Sequence, residues 1–187
     1  MEKWDLYTKY REKTGKEHVR GEELPDGLYH LVVHVWIRNS KGEYLISKRA
    51  ADRTVNPLMW ESAGGSVIKG EDSIEGAIRE VKEEVGINLQ KESGKLVFSK
   101  IRGEIDGKKF NDIMDVWLFE YDGELSLENA TTSEVEDCRW ALPEEIKQMY
   151  DNGEFVETLD YFFYVFKEYM PDSTYKPDYS SITGKIV

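Results

Sequence analysis

Hydrophobic positions along the chain fall into short runs whose spacing separates strands from helices. Residues 28–38 (LYHLVVHVWIR) are dense in β-branched and aromatic side chains, and a second run, Tyr44 to Ser47, follows Asn39-Ser40-Lys41-Gly42. That order predicts two strands joined as a hairpin. Between Ser73 and Val85, the apolar residues Ile74, Ala77, Ile78, Val81 and Val85 recur at intervals of three and four. This is the stripe of a core-facing helix, with Gly86 placed to end it as a left-handed cap. Leu96–Ile101 and Ile113–Tyr121 read as strands around a turn containing Asp106-Gly107, and Cys138-Arg139-Trp140 as a further short strand. Pro143-Glu144-Glu145 suits a first helical turn, and Leu159–Met170, aromatic on several faces, reads as a buried helix. Residues 4–20 alternate weakly around a turn at Lys13-Thr14-Gly15-Lys16 and predict a short hairpin. The expected fold is α/β (α+β), a mixed sheet flanked by helices. An N-terminal hairpin or arm over 1–27 packs on one domain over 28–170, and 171–187 forms a loosely ordered or partner-bound tail.

Charge narrows the partners. Of 187 residues, 37 are acidic and 25 basic, a net charge of −12 with no basic stripe, which argues against a nucleic-acid polymer as partner. No apolar run approaches the roughly 18 residues that span a bilayer, and the first ten residues lack the basic-then-apolar order of a secretory signal, so a cytoplasmic location without membrane attachment is expected. The single cysteine, Cys138, fits a reducing compartment and is read as core. His30 and His34 lie an even number apart on one strand, face the same side, and are read as packed or hydrogen-bonded. Trp36, Trp117 and Trp140 are read as core rather than as a platform for a base.

The chemistry concentrates on the predicted helix. Glu80, Glu83 and Glu84 stand at i, i+3 and i+4, so three carboxylates share one face. Like charges that close repel, and a divalent cation is the simplest remedy; all-oxygen ligation selects Mg²⁺ or Mn²⁺ over zinc. Arg79 lies four residues before Glu83 and four after Glu75, placed to brace a carboxylate ligand. Gly64-Gly65 permits close backbone approach, and the loop from there to the helix has a carbonyl to offer the same ion.

The spacing G-x5-E-x7-R-E-U-x-E-E-x-G-U, with U aliphatic, is filled at every position by Gly65, Glu71, Arg79, Glu80, Val81, Glu83, Glu84, Gly86 and Ile87. It resembles the Nudix box without departure, and the resemblance extends over about residues 28–165. It implies an α/β/α sandwich and hydrolysis of a nucleoside diphosphate linked to a further group. Carried over residue by residue, it implies Glu80 and Glu84 as metal ligands, Glu83 as ligand or base for water, and Gly64 as a carbonyl ligand. Family members often dimerise, and the aromatic segment 159–170 offers a homodimer interface.

Segment 29–60, with WDLY and HVRG ahead of it, resembles the Nudix subgroup related to type I isopentenyl-diphosphate isomerases. Those enzymes use a Cys-x-His segment just before the box, whereas here Trp60 to Ser66 contains neither residue. Hydrolysis therefore outweighs isomerisation, and a non-catalytic nucleotide sensor is the third reading. Lys48 and Arg49 end the second strand beside the expected cleft, where Arg49 would hold the diphosphate. Ser133-Glu134-Val135 resembles the late Nudix segment whose glutamate is a further metal ligand or general base; Glu136, Asp112 and Asp115 compete with Glu134 for that role.

Overall fold

The computed structural model describes residues 1–105, 108–167 and 185–186. Strands β1 (Lys3–Tyr7) and β2 (Lys13–Val19) form a hairpin of their own. Its turn lies at Thr8–Glu12 rather than at the expected Lys13–Lys16: Thr8 N–H reaches Glu12 O (2.9 Å), and Arg11 takes a φ of 64°. Gly15, with φ 75°, instead absorbs an irregularity inside β2, where the register shifts. Arg11 tolerates the left-handed conformation because its guanidinium is tied to Asp115.

The main sheet is built on β3 (His30–Arg38). β3 runs parallel to β8 (Lys108–Glu120) on one side and antiparallel to β6 (Ala63–Ser66) on the other. It pairs with β4 (Tyr44–Arg49) only at Arg38↔Tyr44, so the expected hairpin opens after its turn. β4 continues between β5 (Trp60–Glu61) and β9 (Val135–Ala141), while β7 (Lys95–Ile105) flanks β8 and β10 (Lys185–Ile186) edges β7. Residues 106 and 107, the expected turn, lie outside the described residues, as do 171–184 of the expected tail.

The two-residue period of β3 divides the core. Odd positions Leu31, Val33, Val35 and Ile37 bury against α1 (Ser73–Val85), whose Ala77, Val81 and Val85 complete that layer. Even position Trp36 packs against Tyr44, Phe155 and Phe162 on the far side. That side is covered by α2 (Pro143–Asp151) and the short α3 (Phe162–Val165). His30 and His34 face the same way, as expected: Trp4 stacks on His30 with ring centroids 4.0 Å apart, and His34 Nδ1 bonds Tyr161 Oη at 2.8 Å. Burial holds both imidazoles neutral, near pKa 4 and 3 respectively.

The helix expected over Leu159–Met170 is shorter. A 3₁₀ turn at Glu157–Leu159 leads into four helical residues, and 168–170 are not described. Tyr161, Phe162, Phe163 and Phe166 are all buried in the chain's own core, so these rings do not supply a dimer interface. Asp112 and Asp115, expected as rivals to Glu134, are likewise structural. Asp112 accepts two hydrogen bonds from Arg102 (2.8 and 2.7 Å). Asp115, fully buried, joins Arg11 of the hairpin, Ser99 of β7 and Ser73 at the start of α1. One carboxylate thus binds three elements to β8. Asp115→Ala is expected to destabilise the chain by about 3 kcal/mol, because it leaves buried hydroxyls and a half-buried guanidinium without their acceptor. Urea denaturation followed by tryptophan fluorescence measures this; an unchanged midpoint would make the junction dispensable.

Candidate active site

Gly64 lets β6 sit against β3, and Gly65 lets helix α1 lie directly on β6. A Cβ on Gly64 would stand 2.2 Å from Val33 O, and one on Gly65 would stand 2.6 Å from Glu80 Oε1. This stretch pairs with β3 through Val33↔Gly65 and His34↔Gly64, and the expected loop to the helix follows it. Glu84 then reaches across to accept the Gly64 N–H at 3.0 Å. The helix begins with a reciprocal cap in which Asp72 accepts the Glu75 N–H and Glu75 accepts the Asp72 N–H, both at 2.9 Å. Glu75 is therefore committed to the cap and to Lys91, and does not brace Arg79.

Arg79 is braced instead by Glu71, which accepts from Nε at 2.9 and 3.2 Å, and by Ser66 O at 2.8 Å. Its Nη1 donates to Glu80 and to Glu83, both at 2.9 Å. Glu71 also accepts the Ile68 N–H at 3.3 Å and so pins the loop before the helix. One guanidinium therefore organises the motif: it orients two of the three helix carboxylates and anchors to the strand beneath them.

At the other end of α1, Gly86 has two jobs. It takes φ 73° as the cap, and a Cβ there would meet Ala130 N and Asn129 at 2.8 Å. The loop before β9 can therefore close on the helix end, where Thr131 and Thr132 N–H groups bond Glu83 O at 2.9 and 3.1 Å. That closure carries Glu134 to the site. Its carbonyl accepts the Ala50 N–H at 2.9 Å and its carboxylate pairs with Arg53 at 2.9 Å.

The result is a cleft of about 350 Å³ lined by Gly64, Gly65, Ser66, Arg79, Glu80, Glu83, Glu84, Thr132, Glu134, Arg49, Arg53, Glu2 and Arg20. It brings together the helix acids, Gly64, Arg49 and Glu134, as expected from the sequence. Lys48, Glu136, Asp112 and Asp115 are not among its lining. Glu2, Arg20 and Arg53 are additions that no local spacing announces: they come from the first strand's approach, the end of β2 and the loop after β4. Arg49 is held by Glu61 at 2.5 Å and by Val55 O at 2.9 Å.

The electrostatics of the cleft are those of anions short of a counter-charge. Burial lifts the Glu80 carboxyl to about 7 against the pull of Arg79, and pushes Glu84 well above the usual carboxylate range, with the charge of Glu80 adding to it. Glu61 is raised by the same cause, opposed by Arg49. Among the described residues, no three His, Cys, Asp or Glu side chains stand in a ligating arrangement. Arg79 draws Glu80 and Glu83 toward itself, while Glu84 turns to Gly64. The donor set is nonetheless all oxygen and hard, shared between one cleft's carboxylates and a backbone strand, and it fits Mg²⁺ or Mn²⁺ rather than a softer ion.

Comparison with known proteins agrees with this geometry. The NUDIX domain family model matches residues 28–161. An uncharacterized Nudix hydrolase of Listeria monocytogenes is 42% identical over 164 residues, covering 87% of this chain and 91% of that protein. Among solved structures, a MutT protein of Methanosarcina mazei has a TM-score of 0.57 at 26% identity, covering 79% of this chain and 96% of that one. A Deinococcus radiodurans protein has a TM-score of 0.61 at 22% identity, covering 83% and 92% respectively, which speaks for the fold alone. With the box complete and its arginine and three helix acids gathered in one cleft, the chain belongs to the Nudix family of hydrolases, enzymes that cleave phosphoric anhydrides.

Proposed function

We propose that the chain is a Mg²⁺-dependent pyrophosphohydrolase, with Mn²⁺ as a substitute ion, acting on the diphosphate linkage of a nucleoside diphosphate derivative such as a nucleotide or nucleotide sugar. The observation that carries this reading is the convergence of Glu80, Glu83, Glu84 and Glu134 with the Gly64 backbone in one cleft. A chain of net charge −12 repels a polyphosphate. A bound divalent ion supplies the counter-charge, polarises phosphorus and acidifies water. Glu80 and Glu84 would hold the ion together with Gly64. Glu83, the most exposed of the three helix acids, with a side chain 36% accessible, would serve as ligand or as base for the attacking water. Glu134 would act as a further ligand or as the base. Arg79 would position Glu80 and Glu83, and Arg49, in reach of the cleft, would hold a phosphate through its planar fork.

The alternative isomerase activity lacks a thiol at the cleft. Cys138 lies on β9 and is not among the cleft's lining, and burial keeps its thiol above its ordinary value, disfavouring the thiolate. Cys138→Ser is expected to leave hydrolysis of a diphosphate substrate within about twofold of wild type. A loss of turnover with the fold intact would restore the thiol to the chemistry.

Glu84→Gln separates chemistry from stability. It keeps an acceptor for the Gly64 N–H but removes a buried charge, so turnover should fall on the order of 100-fold while the metal-free protein becomes more stable. The sign follows from linkage. The folded pKa of Glu84 lies above its ordinary 4.5, so the wild-type protein has this stability below pH 4.5 and loses it as pH rises through the folded value. The advantage of the glutamine variant should therefore be absent near pH 4.5 and present near pH 8, by calorimetry without metal. Equal stability curves for the two proteins at both pH values would contradict the burial of this charge.

Millimolar Mg²⁺ should raise the melting temperature of the wild type and fail to do so for Glu84→Gln, because only a ligand of the folded state stabilises it. Identical metal-induced shifts in the two proteins would remove Glu84 from the ion site.

A further inference from the structure

The catalytic motif supplies one arginine to the cleft, and three more come from outside it: Arg20, Arg49 and Arg53. Each is met by a carboxylate, Arg20 by Glu2 at 2.8 Å, Arg49 by Glu61 and Arg53 by Glu134. They are not equally committed. The side chains of Arg49 and Arg53 are 19% and 26% exposed, while that of Arg20 is 53% exposed. Arg20 therefore has the most guanidinium surface left to offer a ligand entering the cleft. Its charge is firmly held, by the hydrogen bond to Glu2 first and by the fields of Glu134 and Glu80 as well.

The hairpin that carries Arg20 is fixed on two sides. Toward β3, Trp4 stacks on His30, and Tyr7 and Tyr29 exchange backbone hydrogen bonds of 2.8 and 2.9 Å. Toward the loop before α1, Lys69 N–H donates to Lys3 O at 2.7 Å and Gly70 N–H to Asp5 Oδ2 at 3.0 Å. An arginine on so firmly seated a support binds with little further ordering cost. The hairpin also precedes the segment 28–161 that the family shares. Among the described residues lining the cleft there is no aromatic and no large aliphatic side chain. With no apolar surface to bury a base, the charged lining favours phosphate oxygens, which guanidinium groups recognise two at a time.

We propose that Arg20, delivered to the cleft by the N-terminal hairpin, is a substrate-binding residue that grips the substrate's diphosphate. The proposal rests on the diphosphate reading above and deepens it: recognition is by the diphosphate, and the attached organic group adds little in this cleft.

Titration calorimetry with methylenediphosphonate, which cannot be hydrolysed at its P–C–P bridge, tests this in excess Mg²⁺ with full-length protein. Arg20→Gln should raise Kd about tenfold, Arg20→Lys should recover part of that loss, and Lys16→Gln, an exposed residue of the same hairpin, should leave Kd unchanged. Lys16→Gln alters net charge equally and so separates contact from long-range field. On a diphosphate substrate, Arg20→Gln should raise KM and leave kcat and the melting temperature near wild type. If the wild type binds the diphosphonate and Arg20→Gln binds it as well, this proposal fails while the diphosphate reading stands. If Arg20→Gln loses binding only along with a lowered melting temperature, Arg20 is a structural tie to Glu2 and the proposal also fails. A wild type that neither binds the diphosphonate nor hydrolyses any diphosphate would overturn both readings.

Discussion

The distance between helix α1 and strand β6 governs this molecule. Only with no side chain at Gly65 can the helix approach closely enough for Glu80 to lie over it, and only with none at Gly64, whose Cβ would strike Val33 O, can β6 sit against β3 and present its N–H to Glu84. The same approach withdraws both carboxylates from water, and their raised proton affinities record the cost. Burial of this kind is tolerated where something else holds the structure together. Here that is the capping box at Asp72–Glu75, the Arg79 hub, and the Ala77, Val81 and Val85 stripe packed into the core. Burial of these charges is electrostatically costly, and the proposed cation would relieve it.

A second theme is the division of acids by their surroundings. Asp112 and Asp115 are as buried as Glu84, yet each meets cationic or hydroxyl donors that satisfy it: Arg102 for one, Arg11, Ser73 and Ser99 for the other. Glu84 has a single backbone N–H and other carboxylates for neighbours. Buried carboxylates with full partner sets act as rivets, and those left wanting charge mark the place where chemistry happens.

How much of this was legible in the sequence depended on range. The helix, its left-handed cap at Gly86 and the common face of Glu80, Glu83 and Glu84 follow from local spacing, and all were readable. The strand at β3 was equally plain, as was the shared side of His30 and His34. Partners that depend on tertiary approach were not. Glu75 stands at the right interval to brace Arg79 but is taken by the cap, and Glu71, eight residues away, does the bracing through a bend in the loop. Asp115 carries the same functional groups as Glu134, and nothing local distinguishes a carboxylate that will meet Arg11 of a distant hairpin from one delivered to a cleft. The turn at Thr8–Glu12 was hidden for a related reason, because Gly15 advertises a turn while Arg11 makes one with help from Asp115. The close approach at Gly64-Gly65 was legible, but its place in a strand was not, since strand propensity is a property of side chains and these residues have none.

The two-sidedness of β3 has an evolutionary corollary. Because odd residues serve the helix layer and even residues the aromatic layer, one inserted or deleted amino acid within the strand would drive Trp36 and His34 toward α1 and carry Val33 and Val35 into the ring cluster. It would also displace the pairing that holds Gly64 and Gly65 beneath the helix. Length variation among descendants of this chain should thus be barred from residues 30–38 and accommodated at the exposed Ser40–Lys41 bend beyond them, where the backbone already reverses without touching either layer.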